Sequence, residues 1–170
     1  LCGWTFAQGI NPSIVSTITT GSGTVTAAEA HAIVSTGTTP GSTARLETER
    51  NLRYIPGIGG VARMTCPFSG PTTDGYAKAG LFHSGEGWGF GYDGDRFGIF
   101  RDRDGVTTWV YQEDWNGLDE HGRKAFPDFN PTLGIPLEIS FQWLGYGAQI
   151  FRAANAKGEI VTLHTIEYSN

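Results

Sequence analysis

Glycine alternates with large aromatic residues in the middle of this chain, and that alternation constrains the fold more than any other feature. Residues 76–112 read YAKAGLFHSGEGWGFGYDGDRFGIFRDRDGVTTWVYQ. Ser84-Gly85, Asp93-Gly94 and Asp104-Gly105 divide this stretch into four short runs rich in aromatic and β-branched residues. Asp-Gly between alternating apolar runs is a strong hairpin signal, because a two-residue type I′ turn needs positive φ at both central positions. The stretch therefore predicts a four-stranded antiparallel meander.

One run of the meander has rings on one side and only glycine on the other. Side chains alternate between the two faces of a strand, and the two sets are Trp88, Phe90 and Tyr92 against Gly87, Gly89 and Gly91. A face without side chains permits the close approach of another backbone or ring. We expect the glycines to make room for aromatic residues of a facing sheet, and a ligand groove above them is the alternative.

Segments on both sides of the meander also have the character of strands. The Ser- and Thr-rich stretch from 13 to 49 predicts strands near 14–19, 22–27, 31–36 and 43–49. A further strand is expected over 61–68, and three more over 137–144, 148–153 and 160–168. Roughly ten strands without a secure helix predict an all-β protein, an antiparallel two-sheet β-sandwich of the jelly-roll kind. We expect residues 1–12 to form an N-terminal arm and residues 13–170 to form a single domain.

Composition narrows the range of partners. The net charge is -5 and no cluster of basic residues occurs, which argues against nucleic-acid binding. No apolar stretch reaches the roughly 18 residues that a membrane-spanning helix needs, so no membrane span is predicted. Cys2 and Cys66 are the two cysteines. They can form one disulfide or remain two buried thiols, and the spacing does not decide between these states.

The acidic residues offer two kinds of site, and each has a plainer interpretation. Two D-x-D turns, at Asp93/Asp95 and Asp102/Asp104, could supply part of a calcium site, but Asp at a turn usually bonds its own backbone. A glycosidase needs two carboxylates across a cleft, and Glu86, Glu113 and Glu138 are available. Glu138 alternates with Leu137, Ile139 and Phe141, so we expect it to face solvent.

No motif in the sequence indicates catalysis or a cofactor. The four histidines lack metal-ligand spacing, and no nucleophile elbow, zinc-protease helix or phosphate loop occurs. We therefore predict no catalytic, cofactor-binding or metal-binding residue and no cofactor.

A contact surface is the remaining kind of site. Residues 113–136 form a long loop with three aromatic residues, and loops of this length are often functional. Exposed rings beside polar groups would suit a sugar, although most of the rings alternate as core residues do. The candidate contact residues are Trp88, Tyr92, Trp109, Trp115 and Asp119.

Two blocks of sequence occur in an order that a known family shares. The first is RYIPGIGGVARMTCPF followed by AGLFHSGEGWGFGYDGDRFGIFRDRDG, and the second is DWNGLD followed, after a loop, by LEISFQWLGYGAQIF. Together they cover about residues 43–153. They resemble a β-sandwich domain of structural proteins from tailed bacteriophages and large DNA viruses. In that family the pattern runs Arg-Tyr-x-Pro-Gly, a strand, Gly-Phe-Phe-Phe-Gly-Tyr-Asn-Gly-Thr-x-Phe-Gly, then Phe-Gln-Trp-Leu-Gly-x-Gly. The chain departs from the pattern at Asp93 and Asp95, where the family more often has Asn and Thr.

The resemblance implies a component of a virion surface, on the capsid or the tail, with no catalytic residue to carry over. We predict a non-enzymatic decoration protein, head fibre or tail fibre module whose partners are other virion proteins. Virion components usually occur in repeated assemblies, so we expect a homo-oligomer formed through the N-terminal segment or the 113–136 loop. The alternative is a carbohydrate- or receptor-binding module with a host surface glycan as its ligand.

Overall fold

The computed structural model describes residues 3, 5–53, 55–142 and 147–167, and it divides the chain into two compact units. The first unit is Leu1–Tyr54 and the second is Ile55–Asn170. The boundary between the units, after residue 54, differs from the predicted boundary after residue 12. The prediction of one domain over 13–170 stays a prediction. No helix in the described ranges is long and apolar enough to cross a membrane.

Four short strands make up the first unit, at the places where the sequence predicted them. They are β1 (Val15–Thr20), β2 (Thr24–Ala28), β3 (His31–Ser35) and β4 (Thr43–Thr48). β1 pairs with β4 and β2 pairs with β3, both antiparallel, so the unit consists of two two-stranded sheets. A two-stranded sheet is marginally stable in water by itself, because it buries little apolar surface.

Hydroxyl groups connect the two small sheets. The backbone N–H of Ser22 donates to the hydroxyl of Ser42 at 2.9 Å, and the Ser22 hydroxyl donates to the carbonyl of Thr36 at 2.9 Å. The backbone N–H of Thr39 donates to the same Ser22 hydroxyl at 3.3 Å. Among the described residues of this unit, Val15 is the one hydrophobic residue that is buried. Hydrogen bonds and not an apolar core therefore hold the first unit together.

The second unit contains eight strands in two antiparallel sheets. The meander sheet has the order β6 (Tyr76–His83), β7 (Glu86–Asp93), β8 (Arg96–Arg103) and β9 (Val106–Tyr111). The opposing sheet has the order β12 (Ile160–Ile166), β11 (Gln149–Ala154), β10 (Pro136–Gln142) and β5 (Gly59–Thr65). A single 3-10 turn at Gln112–Asp114 follows β9 within the described residues. The predicted meander at 76–112 is confirmed.

Aromatic rings from both sheets meet in the core of the second unit. The rings of Phe90 and Phe151 are edge-to-face with centroids 5.4 Å apart, and those of Trp88 and Phe141 are 5.5 Å apart. Phe90 and Phe151 are fully buried. Burying a side chain of this size stabilises a fold by about 1.5–3 kcal/mol. The predicted two-sheet β-sandwich is confirmed, whereas its jelly-roll connectivity stays a prediction.

The glycines of β7 lie on the face of the meander sheet that is turned away from this core. Gly89 is paired with Phe100 of the neighbouring strand, whose ring lies over it. A Cβ on Gly89 would come within 2.7 Å of that ring and within 2.3 Å of the carbonyl oxygen of Ala79. The glycines therefore make room for a ring of their own sheet and for a close neighbouring backbone, and not for rings of the opposing sheet as we expected.

Candidate functional site

The face of the meander sheet turned away from the core carries a cluster of rings around one lysine. We call it the outer aromatic face and define it by Tyr76, Lys78, Phe82, Phe100 and Trp109. Strand register brings these residues together, because Gly89 lies opposite Phe100 and Phe100 lies opposite Trp109. The Phe100 ring contacts the rings of Phe82 and Trp109, with centroid distances of 5.3 and 5.6 Å. Phe100 is fully buried in this cluster although it points away from the core.

Lys78 occupies the centre of the outer aromatic face. Its ammonium lies 4.6 Å from the centroid of the Phe100 ring and 5.9 Å from the centroids of both Tyr76 and Trp109. It donates hydrogen bonds to both carboxylate oxygens of Asp102, at 2.9 and 3.1 Å, and to the hydroxyl of Thr107 at 3.0 Å. Cation–π contacts of this kind are favourable when the cation is partly desolvated.

Asp102 and Thr107 complete the network around Lys78. The Thr107 hydroxyl donates to Asp102 at 2.6 Å. The side chains of Lys78 and Asp102 are 16% and 11% exposed, so the pair is well screened from water. Charge is neutralised locally, and each polar group restrains the rotamer of the next. Two aromatic residues of the outer aromatic face reach solvent: Tyr76 is 71% exposed and Trp109 is partly exposed.

A second charged cluster lies at the other end of β8. The guanidinium of Arg96 stacks 3.4 Å from the ring centroid of Tyr111 and forms an ion pair with Glu113. The phenol of Tyr111 donates to Asp93 at 3.0 Å, and this hydrogen bond raises the pKa of Tyr111. The hydrogen bond from Arg96 holds the pKa of Glu113 below its usual value. Arg96 and Glu113 line a shallow open cleft together with Lys124.

The structure separates the five residues that the sequence proposed as contacts. Tyr92 and Trp115 are 8% and 4% exposed and belong to the core of the sandwich, and Trp88 packs on Phe141 there. Trp109 alone among these five lies on the outer aromatic face.

Asp119 organises the loop after β9. One carboxylate oxygen accepts the backbone N–H groups of His121 and Arg123, each at 2.9 Å, and the other accepts the Arg123 guanidinium. The Arg123 backbone N–H contributes most to lowering the pKa of Asp119. Trp115, Phe126 and Phe129 of the same loop pack on one another and on the core, so the loop is filled by its own rings.

His164 is a buried polar residue that the sequence did not single out. Its Nδ1 accepts a hydrogen bond from the backbone N–H of Asn116 at 3.1 Å. The Asn116 side-chain amide in turn donates to the carbonyl of Thr165 and accepts the N–H of the same residue. Burial lowers the pKa of His164, and the nearby positive charge of Lys124 lowers it further. His164 therefore acts as a neutral anchor between the loop and β12.

Glu138 lies between two arginines. Its carboxylate accepts Arg63 Nε at 2.7 Å from β5 and Arg152 at 2.8 Å from β11. Burial raises the pKa of Glu138, but the hydrogen bonds from Arg63 and Arg152 outweigh it, so the pKa lies below its ordinary value. The side chain is on the outer face of its sheet but only 6% of the residue is exposed, so the expectation that it faces solvent is wrong. A glycosidase acid needs the opposite shift of pKa.

The two D-x-D turns lie at opposite ends of β8. Asp93 and Asp95 precede this strand, whereas Asp102 and Asp104 stand at its far end. An eight-residue strand spans roughly 25 Å, so these turns do not share one cation. Across the described residues there is no group of three or more His, Cys, Asp or Glu side chains placed to hold a metal.

Cys66 is a free thiol at the end of β5, partly buried against the core. Burial raises the pKa of this thiol, which disfavours the reactive thiolate. Cys2 lies outside the described residues.

Comparisons with protein-family models, with curated proteins and with solved structures found no match for this chain. The geometry of the outer aromatic face therefore provides the main evidence on function, beside the sequence resemblance.

Proposed function

We propose that this protein is a non-enzymatic structural component of a virus particle, a surface decoration or fibre module that acts through protein–protein contacts. The observation that carries the proposal is the outer aromatic face. Interface cores are enriched in Trp, Tyr and Arg, and a few rigid anchors supply most of the binding energy. Tyr76 and Trp109 present such anchors beside the hydrogen-bonded pair of Lys78 and Asp102.

The state of the carboxylates favours contact over catalysis. Glu138 is ionised between two arginines, Glu113 is paired with Arg96, and Glu86 accepts the backbone N–H of Asp104 at 2.8 Å. Each of the three Glu side chains considered for a glycosidase is thus engaged in a separate structural contact. The order of the Gly-aromatic and Gln-Trp-Leu-Gly blocks supplies the viral part of the proposal.

Two measurements test this function. Particles purified from the source of the sequence are first analysed by mass spectrometry, and we expect peptides of this chain in them. Cosedimentation with particles that lack the chain then measures binding of the purified protein. We expect Tyr76→Ala to weaken binding about tenfold or more, since an anchor of this kind is worth about 2 kcal/mol.

The matched control is Val61→Ala, which truncates another exposed apolar side chain, 61% exposed against 71% for Tyr76, on the opposing sheet. It should bind as the wild type does. Circular dichroism melting checks that both variants remain folded. Absence of the chain from particles, or equal binding by both variants, contradicts the proposal.

A carbohydrate-binding function is the second candidate, and one observation favours it. Trp109 is partly exposed beside Thr107 and Asp102, and sugar faces stack on rings while neighbouring polar groups hold their hydroxyls. A glycan array decides between the two candidates. Binding of a defined glycan that is lost in Trp109→Ala supports the second, whereas no glycan binding together with particle binding supports the first.

A further inference from the structure

The described residues of the first unit place large apolar side chains on its surface and almost none in its interior. Among residues 3 and 5–53, Val15 is buried, whereas five large apolar residues are between 42% and 57% exposed: Ile14, Ile18, Ile33, Val34 and Leu52. A pair of two-stranded sheets needs an apolar face covered to be stable in water. About half of the surface of each of these five residues remains open to solvent.

Strands β1, β2 and β3 also lack the features that normally protect a sheet edge. Each of them pairs with one neighbour among the described residues, so each has a second edge that is paired with no described strand. None of the three contains Lys, Arg, Asp, Glu or Pro. Natural edge strands are usually blocked by such residues, because an unprotected edge pairs with another chain.

The distribution of charge along the chain favours a second copy of the same chain as the partner. Residues 1–54 contain three acidic and three basic residues, whereas residues 55–170 contain fourteen acidic and nine basic ones, so the net charge of -5 lies entirely in the second unit. Two copies of the second unit repel each other, but two copies of the first do not. Between residues 13 and 44 Glu29 is the single side chain with a full charge. A neutral, apolar surface with open strand edges is complementary to itself.

We propose that the first unit is an assembly element, and that the same unit of a second copy of this chain covers its exposed apolar side chains and pairs with its open strand edges. The contact is of the self-complementary type in which one patch meets its own symmetry mate. It uses a surface different from the outer aromatic face, so binding to a particle and self-association are separate properties of the molecule.

Light scattering after size exclusion, and native mass spectrometry, of the full chain test the proposal over a wide range of concentration. We expect a mass that is a multiple of the 18.3 kDa chain. Ile33→Lys and Val34→Lys place a charge where the native side chains are 47% exposed, so the single chain tolerates them. Ile33 and Val34 lie on opposite faces of β3. The variant on the covered face should raise the dissociation constant about tenfold or more, because a charge buried without a partner is costly.

Val106→Lys is the matched control, since Val106 is 63% exposed in the second unit. It should leave the assembly intact. Hydrogen exchange of the peptides covering 15–35 reports which surface is covered. A monomer at all concentrations overturns the proposal. If the 15–35 peptides are protected from exchange in such a monomer, residues of the same chain cover this surface. An assembly that survives both lysine variants overturns it as well.

Discussion

The two units of this chain are made of β-strands but are stabilised by different forces. The second unit joins two four-stranded sheets through interlocking rings such as Phe90 and Phe151. The first joins two-stranded sheets through serine and threonine hydroxyls, with Val15 as its buried hydrophobic residue in the described part. Apolar burial is non-directional and cumulative, whereas a hydrogen bond contributes only about 1 kcal/mol net. The comparison teaches that strand content alone says little about where stability comes from.

The largest test of this comparison removes a ring from the core. Phe151→Ala deletes a fully buried side chain, and we expect it to lower the free energy of unfolding of the second unit by about 3–5 kcal/mol. Urea denaturation followed by tryptophan fluorescence measures this, because four of the five tryptophans of the chain lie within Ile55–Asn170. Val61→Ala, at an exposed position, is the control and should change little. A loss below 1 kcal/mol for Phe151→Ala would argue against an aromatic core as the source of stability.

A smaller effect is expected from filling the glycine face. Gly89→Ala places a methyl group 2.3 Å from the backbone oxygen of Ala79, so β6 must move. We expect a loss of about 1–3 kcal/mol, measured by thermal melting. Gly134→Ala is the control, since its new methyl group would meet one atom, at 3.7 Å. Equal melting temperatures for the two variants would show that the close approach of β6 and β7 is not required.

In the first unit the corresponding test removes a hydroxyl. Ser22→Ala removes the hydrogen bonds of the Ser22 hydroxyl to Thr36, Thr39 and the Ser42 hydroxyl, and it leaves the bond from the Ser22 backbone N–H in place. We expect the amides of β2 and β3 to exchange faster, by a factor that corresponds to about 1–2 kcal/mol. Hydrogen exchange with mass spectrometry measures this unit by unit. Ser35→Ala is the control, because its hydroxyl accepts one exposed backbone N–H, that of Gly37. Unchanged exchange in Ser22→Ala would contradict the view that hydroxyls hold this unit.

The smallest expected effect is a dependence of the second unit on pH. Because the pKa of His164 is lowered from 6.5 in the folded state, the unfolded chain binds this proton more readily. The contribution of His164 to stability is therefore complete above pH 6.5, and it declines as the pH falls below 6.5. The pKa of Glu138 lies below its ordinary value of 4.5, so this carboxylate does not contribute to the change in stability between pH 4.5 and pH 6.5. His164→Asn should weaken the dependence of the melting temperature on pH between pH 4.5 and pH 6.5. An unchanged dependence would assign the effect to another group.

Local signals explain why much of the second unit could be predicted. Asp104-Gly105 forms the two-residue turn that the sequence predicted, whereas the turn near Asp93-Gly94 is shifted by one residue to Gly94-Asp95, because Asp93 still pairs with Arg96. The alternation between these turns fixes which rings face the core. The outer aromatic face was missed for a different reason. Lys78, Asp102 and Thr107 come from three strands, and their meeting depends on cross-strand register. The lengths of the short turns determine that register. Aligning the predicted strands across these turns therefore places the three residues next to one another.

Long-range pairing explains the remaining errors. Glu138 was assigned to the correct face of its strand, but Arg63 lies 75 residues away along the chain and Arg152 lies 14 away. Nothing local to Glu138 indicates that two guanidinium groups cover it. The rings of Tyr92 and Trp115 were open to two interpretations for a similar reason, since burial depends on what lies above a strand and not on the strand itself.

The environment of Lys78 has a consequence for chemical labelling. The chain has three lysines, at 78, 124 and 157. The amine of Lys78 is enclosed by rings and a carboxylate, and that of Lys124 donates to the backbone oxygens of Glu113 and Trp115. Lys157 is exposed at the turn between β11 and β12. An amine-reactive dye added at low excess should therefore mark the side chain of Lys157 ahead of the other two, which gives a ready handle for attaching a probe far from the ring cluster in sequence.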